Sequence, residues 1–156
     1  MHRSGAKWFK EWGENLFYGQ NRHAIDPKGR IIFPTKYRDE LGEFFYITRG
    51  LSNCLFVYPE NEWKKLEDKL RALPMSSAGN IQRFFFNNTE KVSCDKQGRV
   101  LLASHLKEYA NLKKDIVIAG VSNRLEIWDA EEFDNMNSFE NMNVDEITAQ
   151  METLGL

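Results

Sequence analysis

The chain has little cysteine, no long apolar run, and no lysine or arginine anywhere in residues 129–156. Cys54 and Cys94 are too few for a disulfide framework or a metal cluster. No stretch of about 18 apolar residues exists, so no helix is expected to span a membrane. The N-terminus lacks a hydrophobic signal core, and a reducing cytoplasm is the expected location. Chemical signatures are also missing. His23 and His105 do not stand at metal-ligand spacing. There is no glycine-rich loop of the dinucleotide or nucleoside triphosphate type. Ser104-His105 are neighbours with no orienting acid close by in sequence, which does not make a triad. No cofactor, no metal and no catalytic residue is expected.

What is present is a soluble, globular composition, 42% hydrophobic and 28% charged, in 156 residues. Net charge is −2, but eight acids fall within residues 129–156. The preceding 128 residues carry 21 bases against 15 acids, a balance of +6. A basic body with an acidic tail can present a positive face to phosphates.

The organising feature is a repeat. Asp26-Pro27-Lys28-Gly29-Arg30 returns 69 residues later as Asp95-Lys96-Gln97-Gly98-Arg99. Each copy runs into an apolar triplet, Ile31-Ile32-Phe33 or Val100-Leu101-Leu102. Tyr37 then aligns with Leu106, Arg38 with Lys107 and Leu41 with Ala110. After one inserted residue, Ser52-Asn53 aligns with Ser122-Asn123, Val57-Tyr58 with Ile127-Trp128, and Trp63 with Phe133. One unit of about 44 residues would bury too little surface to fold alone; two sharing a core would suffice.

Each copy reads as strand, turn, strand, short helix and two-stranded hairpin. Residues 21–25 lead into the first turn, and residues 30–33 return from it until Pro34. Thr35 is expected to cap a short helix that Gly42 ends. Residues 44–48 and 55–58 form a hairpin. Trp63, Leu66, Leu70 and Leu73 fall at helical spacing up to Pro74. Residues 75–80 read as a small-residue linker and 81–86 as a short helix whose Phe84-Phe85-Phe86 packs in a core or interface. In the second copy, residues 90–94 and 100–102 flank the turn, 104–109 form the short helix, 116–119 and 125–128 the hairpin, and 130–136 a helix. Residues from 137 on read as loosely structured, although Val144, Ile147, Met151 and Leu154 are spaced for one marginal helix.

Three explanations compete for the repeated turn. A hairpin turn alone would use Asp at its start and Gly for positive φ, but it does not require the Arg that both copies keep. A paired-carboxylate hydrolase would use Asp26 and Asp95, yet needs them in contact and in apolar surroundings; here each shares five residues with Lys and Arg. Nucleic-acid contact uses all of it. Lys28, Arg30, Lys96 and Arg99, with Arg22, Lys36 and Lys91 around them, suit phosphates. The backbone N–H groups of Gly29 and Gly98 can face an anion, Arg can reach base edges, and Gln97 can hydrogen-bond a base. A protein-interaction module using the acidic tail remains an alternative from another class.

Over the two motifs, and over Thr48-Arg49-Gly50-Leu51-Ser52-Asn53-Cys54-Leu55, Arg83-Phe84-Phe85-Phe86 and Gly120-Val121-Ser122-Asn123-Arg124-Leu125-Glu126-Ile127-Trp128, the sequence resembles the MraZ family of bacterial regulators, encoded at the head of the division and cell wall gene cluster. The resemblance covers roughly residues 17–136. It departs at Ala103-Ser104, where the second unit often carries Pro. It implies an α+β fold in which two pseudo-symmetric AbrB-like swapped-hairpin units interleave into one small β-barrel with peripheral helices. The corresponding division is a leader at 1–16, a first unit at 20–63, a helical connection at 64–88, a second unit at 89–133 and an acidic, loosely ordered tail at 134–156. It further implies a ring-shaped homo-oligomer (octamer or dodecamer) that is nucleoid-associated and binds double-stranded DNA at direct repeats in its own promoter. It assigns DNA contact to the turns, hence to Asp26, Lys28, Gly29, Arg30, Asp95, Lys96, Gln97, Gly98 and Arg99.

The leader does not fit the repeat. Trp12-Gly13-Glu14 requires the codons TGG-GGN-GAR, whose purine-rich string resembles a bacterial ribosome-binding site just before Leu16. Family members usually start Met-Phe-x-Gly, and Leu16-Phe17-Tyr18-Gly19 stands at that place. Translation is therefore expected to begin at Leu16, with the leader before it non-native.

Overall fold

The computed structural model describes residues 16–156. The start-site expectation, and the aromatic stretch Trp8, Phe9 and Trp12, lie outside the described residues.

The described chain is α+β. Its strands are β1 (Gln20–Ala24), β2 (Arg30–Ile32), β3 (Phe45–Arg49), β4 (Leu55–Pro59), β5 (Glu90–Val92), β6 (Arg99–Leu101), β7 (Asp115–Gly120) and β8 (Leu125–Asp129). Its helices are α1 (Thr35–Leu41), α2 (Glu60–Arg71), α3 (Met75–Phe86), α4 (Ser104–Tyr109), α5 (Ala130–Met136) and α6 (Val144–Thr153). Six strands form one antiparallel sheet in the order β1-β7-β8-β4-β3-β5. The remaining two, β2 and β6, form a separate ribbon.

The strands that flank each Asp-x-x-Gly-Arg turn do not pair with each other. β1 pairs with β7 of the other copy, and β5 with β3. β2 pairs with β6, centred on Ile31 opposite Val100. β4 pairs with β8, centred on Phe56 opposite Glu126. Exchanging equivalent strands of the two copies turns this set of ladders into itself.

The barrel expectation is corrected. Among the described residues β1 and β5 are the edges of the large sheet, and no ladder joins them. Closure needs continuous pairing round the ring. β2 and β6 are three residues each and pair only with one another. Pro34, with no N–H and a fixed φ, ends the first return strand before it can lengthen.

Alternation along the strands sorts apolar side chains into two clusters, because successive residues face opposite sides of a sheet. The first contains Phe45, Ile47, Leu55, Val57, Ile116, Ile118, Leu125 and Ile127 from the sheet, Ile31 and Val100 from the ribbon, Tyr37 and Leu41 from α1, Leu106 from α4 and Ala110 just after it. The second, on the opposite face, packs Phe56, Tyr58, Val117, Ala119 and Trp128 against Trp63 of α2 and Phe133 of α5. The residues aligned by the repeat thus fall in the same cluster. Burial of each such large side chain stabilises by about 1.5–3 kcal/mol.

Helix ends depart from the sequence reading. Pro34, not Thr35, is the residue before α1, and no side chain caps it. Gly42 ends α1 at φ 80° as expected. Residues 75–80 are the first half of α3 rather than a linker. Pro74 sits just before that helix, where its missing N–H costs nothing, and its carbonyl accepts from Ser77 and Ala78 N–H. Phe84 lies edge-on to Phe85 and Tyr109, and Phe86 to Trp63, so these rings pack on their neighbours while the helix keeps no fully buried residue. In the tail, α6 forms with Asn143 accepting from Glu146 N–H, at the spacing of Val144, Ile147 and Met151.

Candidate nucleic-acid interface

The ribbon holds both Asp-x-x-Gly-Arg turns. In the first, Asp26 Oδ1 accepts from the backbone N–H of Lys28 and of Arg30, each at 2.9 Å. Its Oδ2 accepts from Arg30 Nε at 2.7 Å. Asp26 N–H donates to the Arg30 carbonyl, and Gly29 N–H to the Asp26 carbonyl. The second turn repeats all of this. Asp95 Oδ1 accepts from Gln97 and Arg99 N–H at 2.9 Å, and Oδ2 from Arg99 Nε at 2.8 Å. Asp95 N–H donates to the Arg99 carbonyl, and Gly98 N–H to the Asp95 carbonyl. Gly29 and Gly98 take φ of 84° and 80°, where a Cβ is strained.

The Arg is what turn geometry alone did not require, and the structure gives it a defined part. Its Nε is held by the Asp, while no described hydrogen bond engages the Nη atoms of Arg30 or Arg99. A guanidinium fixed at one edge and free at the other is ready for a planar, two-oxygen or O6/N7 acceptor. The backbone N–H of Arg30 and of Arg99, followed by each guanidinium and the other turn N–H, hold both carboxylates below the usual carboxylate range, against the opposing effect of desolvation. An ionised carboxylate already accepting three hydrogen bonds does not suit the shared-proton chemistry of a catalytic dyad.

The antiparallel register places Arg30 opposite Leu101 and Ile32 opposite Arg99. These four share the outer face of the ribbon, while Ile31 and Val100 point into the core. Each turn is tied to the other copy. Phe33 N–H donates to the Gly98 carbonyl, and Leu102 N–H to the Gly29 carbonyl. Lys28, Lys96 and Gln97 are exposed at the turn tips.

The surrounding cations have further near partners. Arg22 pairs with Asp134 at 2.7 Å. Lys36 lies over the Tyr37 ring, and Lys91 lies over Phe44 and within 3.9 Å of Glu60. Two more cations, which sequence proximity could not reveal, reach the turns. Lys107 of α4 crosses to the first turn, and Arg38 of α1 to the second. The only signal for them was that the repeat aligns Arg38 with Lys107.

His105 also differs from expectation. Its Nε2 lies 2.9 Å from Glu90 Oε2, so an acid does reach it through the fold. No described hydrogen bond joins it to Ser104. Among the described residues no group of three His, Cys, Asp or Glu could hold a metal, and no helix is long and apolar enough to cross a membrane. Burial pushes the Cys54 thiol up to about 12, which makes it a poor nucleophile.

Fold and site together define a duplicated α+β protein carrying two matched, cation-rich turns on one ribbon. A family model described as "MraZ protein, putative antitoxin-like" matches residues 16–80 and 85–154. A protein named transcriptional regulator MraZ from Natranaerobius thermophilus is 52% identical over 134 residues, covering 81% of this chain and 94% of that protein. Proteins of the same name from Acetivibrio thermocellus and Clostridium beijerinckii are 46% and 48% identical over 143 residues, covering 90% of this chain and 100% of each relative. The chain belongs to the MraZ family.

Proposed function

We propose that this chain is a sequence-specific DNA-binding transcriptional regulator of the division and cell wall gene cluster, acting at direct repeats in its own promoter. The observation that carries the reading is the pair of matched turns, each presenting an Arg anchored through Nε with its Nη atoms free. Lys28 and Lys96 would take phosphates, Arg30 and Arg99 phosphates or base edges, and Gln97 a base edge. Asp26, Asp95, Gly29 and Gly98 would hold the turns in shape. The names of the relatives agree with a regulator's role.

The pairing of each copy's strands with the other copy supports a swapped-hairpin arrangement about a pseudo-two-fold axis between Ile31/Val100 and Phe56/Glu126. In that reading the units at 20–63 and 89–133 are joined through 64–88, and the acidic tail at 134–156 stands outside them. One ribbon offers few phosphate contacts, so a ring-shaped homo-oligomer of eight or twelve copies would raise avidity by engaging successive repeats. Exposed Met75 and Ile81 on α3, and Ile147 and Met151 on α6, offer apolar surface for such assembly. The protein would act in the cytoplasm, at the nucleoid.

Footprinting of the purified protein on DNA upstream of its own gene tests the reading. Protection at regularly spaced direct repeats is expected, fading steeply with salt. No protection at low salt would overturn it. The exposed apolar side chains on the acidic α6 favour a second reading, a protein-interaction module of antitoxin-like kind. Co-purification of a basic partner without DNA retention would favour that one.

A further inference from the structure

We propose that each DNA-facing turn is a composite of both copies: Lys107 completes the turn at 26–30, and Arg38 completes the turn at 95–99, each as an additional phosphate-binding cation. The proposal rests on the DNA-binding reading above.

The geometry is reciprocal. A Cβ built on Gly29 would come within 2.9 Å of Lys107 Nζ. One built on Gly98 would come within 2.8 Å of Arg38 Cζ and 2.9 Å of its Nε. In both turns the space that glycine leaves open is filled by a positive group from the other copy's short helix. Backbone bonds fix the same crossing, since Leu102 N–H donates to the Gly29 carbonyl and Phe33 N–H to the Gly98 carbonyl. Leu102 and Phe33 lie a few residues before Lys107 and Arg38 respectively, so the bond that ties the ribbon also sets the start of the helix carrying the cation.

Neither cation is used up. Among the described residues no ion pair engages Lys107 or Arg38. Arg38 donates from Nη2 to Thr35 Oγ1 at 2.9 Å, and its Nε has no hydrogen-bond partner among the described residues. Each turn therefore gathers three cations: Lys28, Arg30 and Lys107 in the first, Lys96, Arg99 and Arg38 in the second. A role confined to filling the turn would need the bulk of these side chains but not their charge. A phosphate contact needs the charge.

The test is the salt dependence of DNA binding by the full chain carrying Arg38→Gln, Lys107→Gln or both, on its own upstream DNA and on a random-sequence duplex. Lys69→Gln, on α2 against the other core cluster, is the control for general surface charge. Each engaged cation removed should lower the slope of log K against log salt by about 0.9. Both DNAs should weaken by a common factor, Arg38→Lys should restore the slope, and the control should leave it unchanged. Thermal melting and oligomer size report whether each variant has folded. An unaltered slope in a folded double variant overturns this proposal; if Arg30→Ala still abolishes binding, the turn reading survives. If Arg30→Ala and Arg99→Ala are also without effect, both fall.

Discussion

The turns at 26–30 and 95–99 are built alike and dressed differently. Every hydrogen bond that defines them matches to within 0.1 Å. Asp, Gly and Arg recur with matching tasks: a short carboxylate that accepts three hydrogen bonds, a positive φ, and a guanidinium held through Nε. Between them the first turn has Pro27-Lys28 and the second Lys96-Gln97. The tip charge therefore moves by one position, and the place of Lys28 is taken by an amide that can both donate and accept. Shape is shared and the presented chemistry is not, so under the proposed function the two halves would meet unlike parts of one DNA site.

The largest effects on folding should come from the glycines, and they should be unequal. Gly98→Val adds a β-branched residue at φ 80° and drives a Cβ into the Arg38 guanidinium. Strain at such a φ alone costs about 1–3 kcal/mol, which in a domain of this size lowers Tm by roughly 2–10 °C. Gly29→Val meets the same strain, but its neighbour is the tip of Lys107, which can swing away. Melting curves should rank Gly98→Val below Gly29→Val; the reverse order would show that the two cradles are not related as described.

A smaller effect is expected from the carboxylates. Asp26 and Asp95 have folded pKa values below the ordinary one, through the Arg30 and Arg99 N–H and the guanidinium of each. Their stabilisation is therefore complete above the unfolded value and is lost as pH falls through the folded one. Asp26→Asn and Asp95→Asn should lower the melting temperature slightly at neutral pH. Below about pH 4 the gap to the native protein should close. A gap that persists undiminished in acid would mean that ionisation of these groups is not what holds the turns.

The smallest effect on affinity, and the most informative about the contrast between the turns, should follow from exchanging the tip residues. Lys28→Gln combined with Gln97→Lys keeps net charge and total cations. The salt slope should stay the same while the preferred base sequence shifts, as measured by selection from random duplexes. An unchanged preference would mean that position 97 makes no base contact.

Much of this was legible in the sequence. The turns are local: Asp, Gly and Arg lie within five residues, and their spacing dictates the bonds they make. Tyr37 and Leu106, which the repeat aligns, lie in one core cluster, and Trp63 and Phe133 in the other. The misses are long-range or depend on context. Nothing near Gly29 in the chain announces Lys107, and nothing near His105 announces Glu90. The barrel expectation failed because β2 and β6 are too short to bridge the sheet edges, which depends on where Pro34 stops a strand. Residues 75–80 looked like a linker because small residues are indifferent by themselves; a preceding Pro74 and packing of the following aromatics make them helical.

In the proposed function Arg30 and Arg99 are the contacts through which this chain would hold DNA. The most direct test is gel-shift titration, at low salt, of the double variant Arg30→Ala/Arg99→Ala on DNA upstream of its own gene, with oligomer size measured on the same samples. An unchanged oligomer and an affinity reduced by a factor of about 100 or more are expected, on the order of two lost Arg contacts. Binding as tight as that of the unaltered chain would contradict the proposed function.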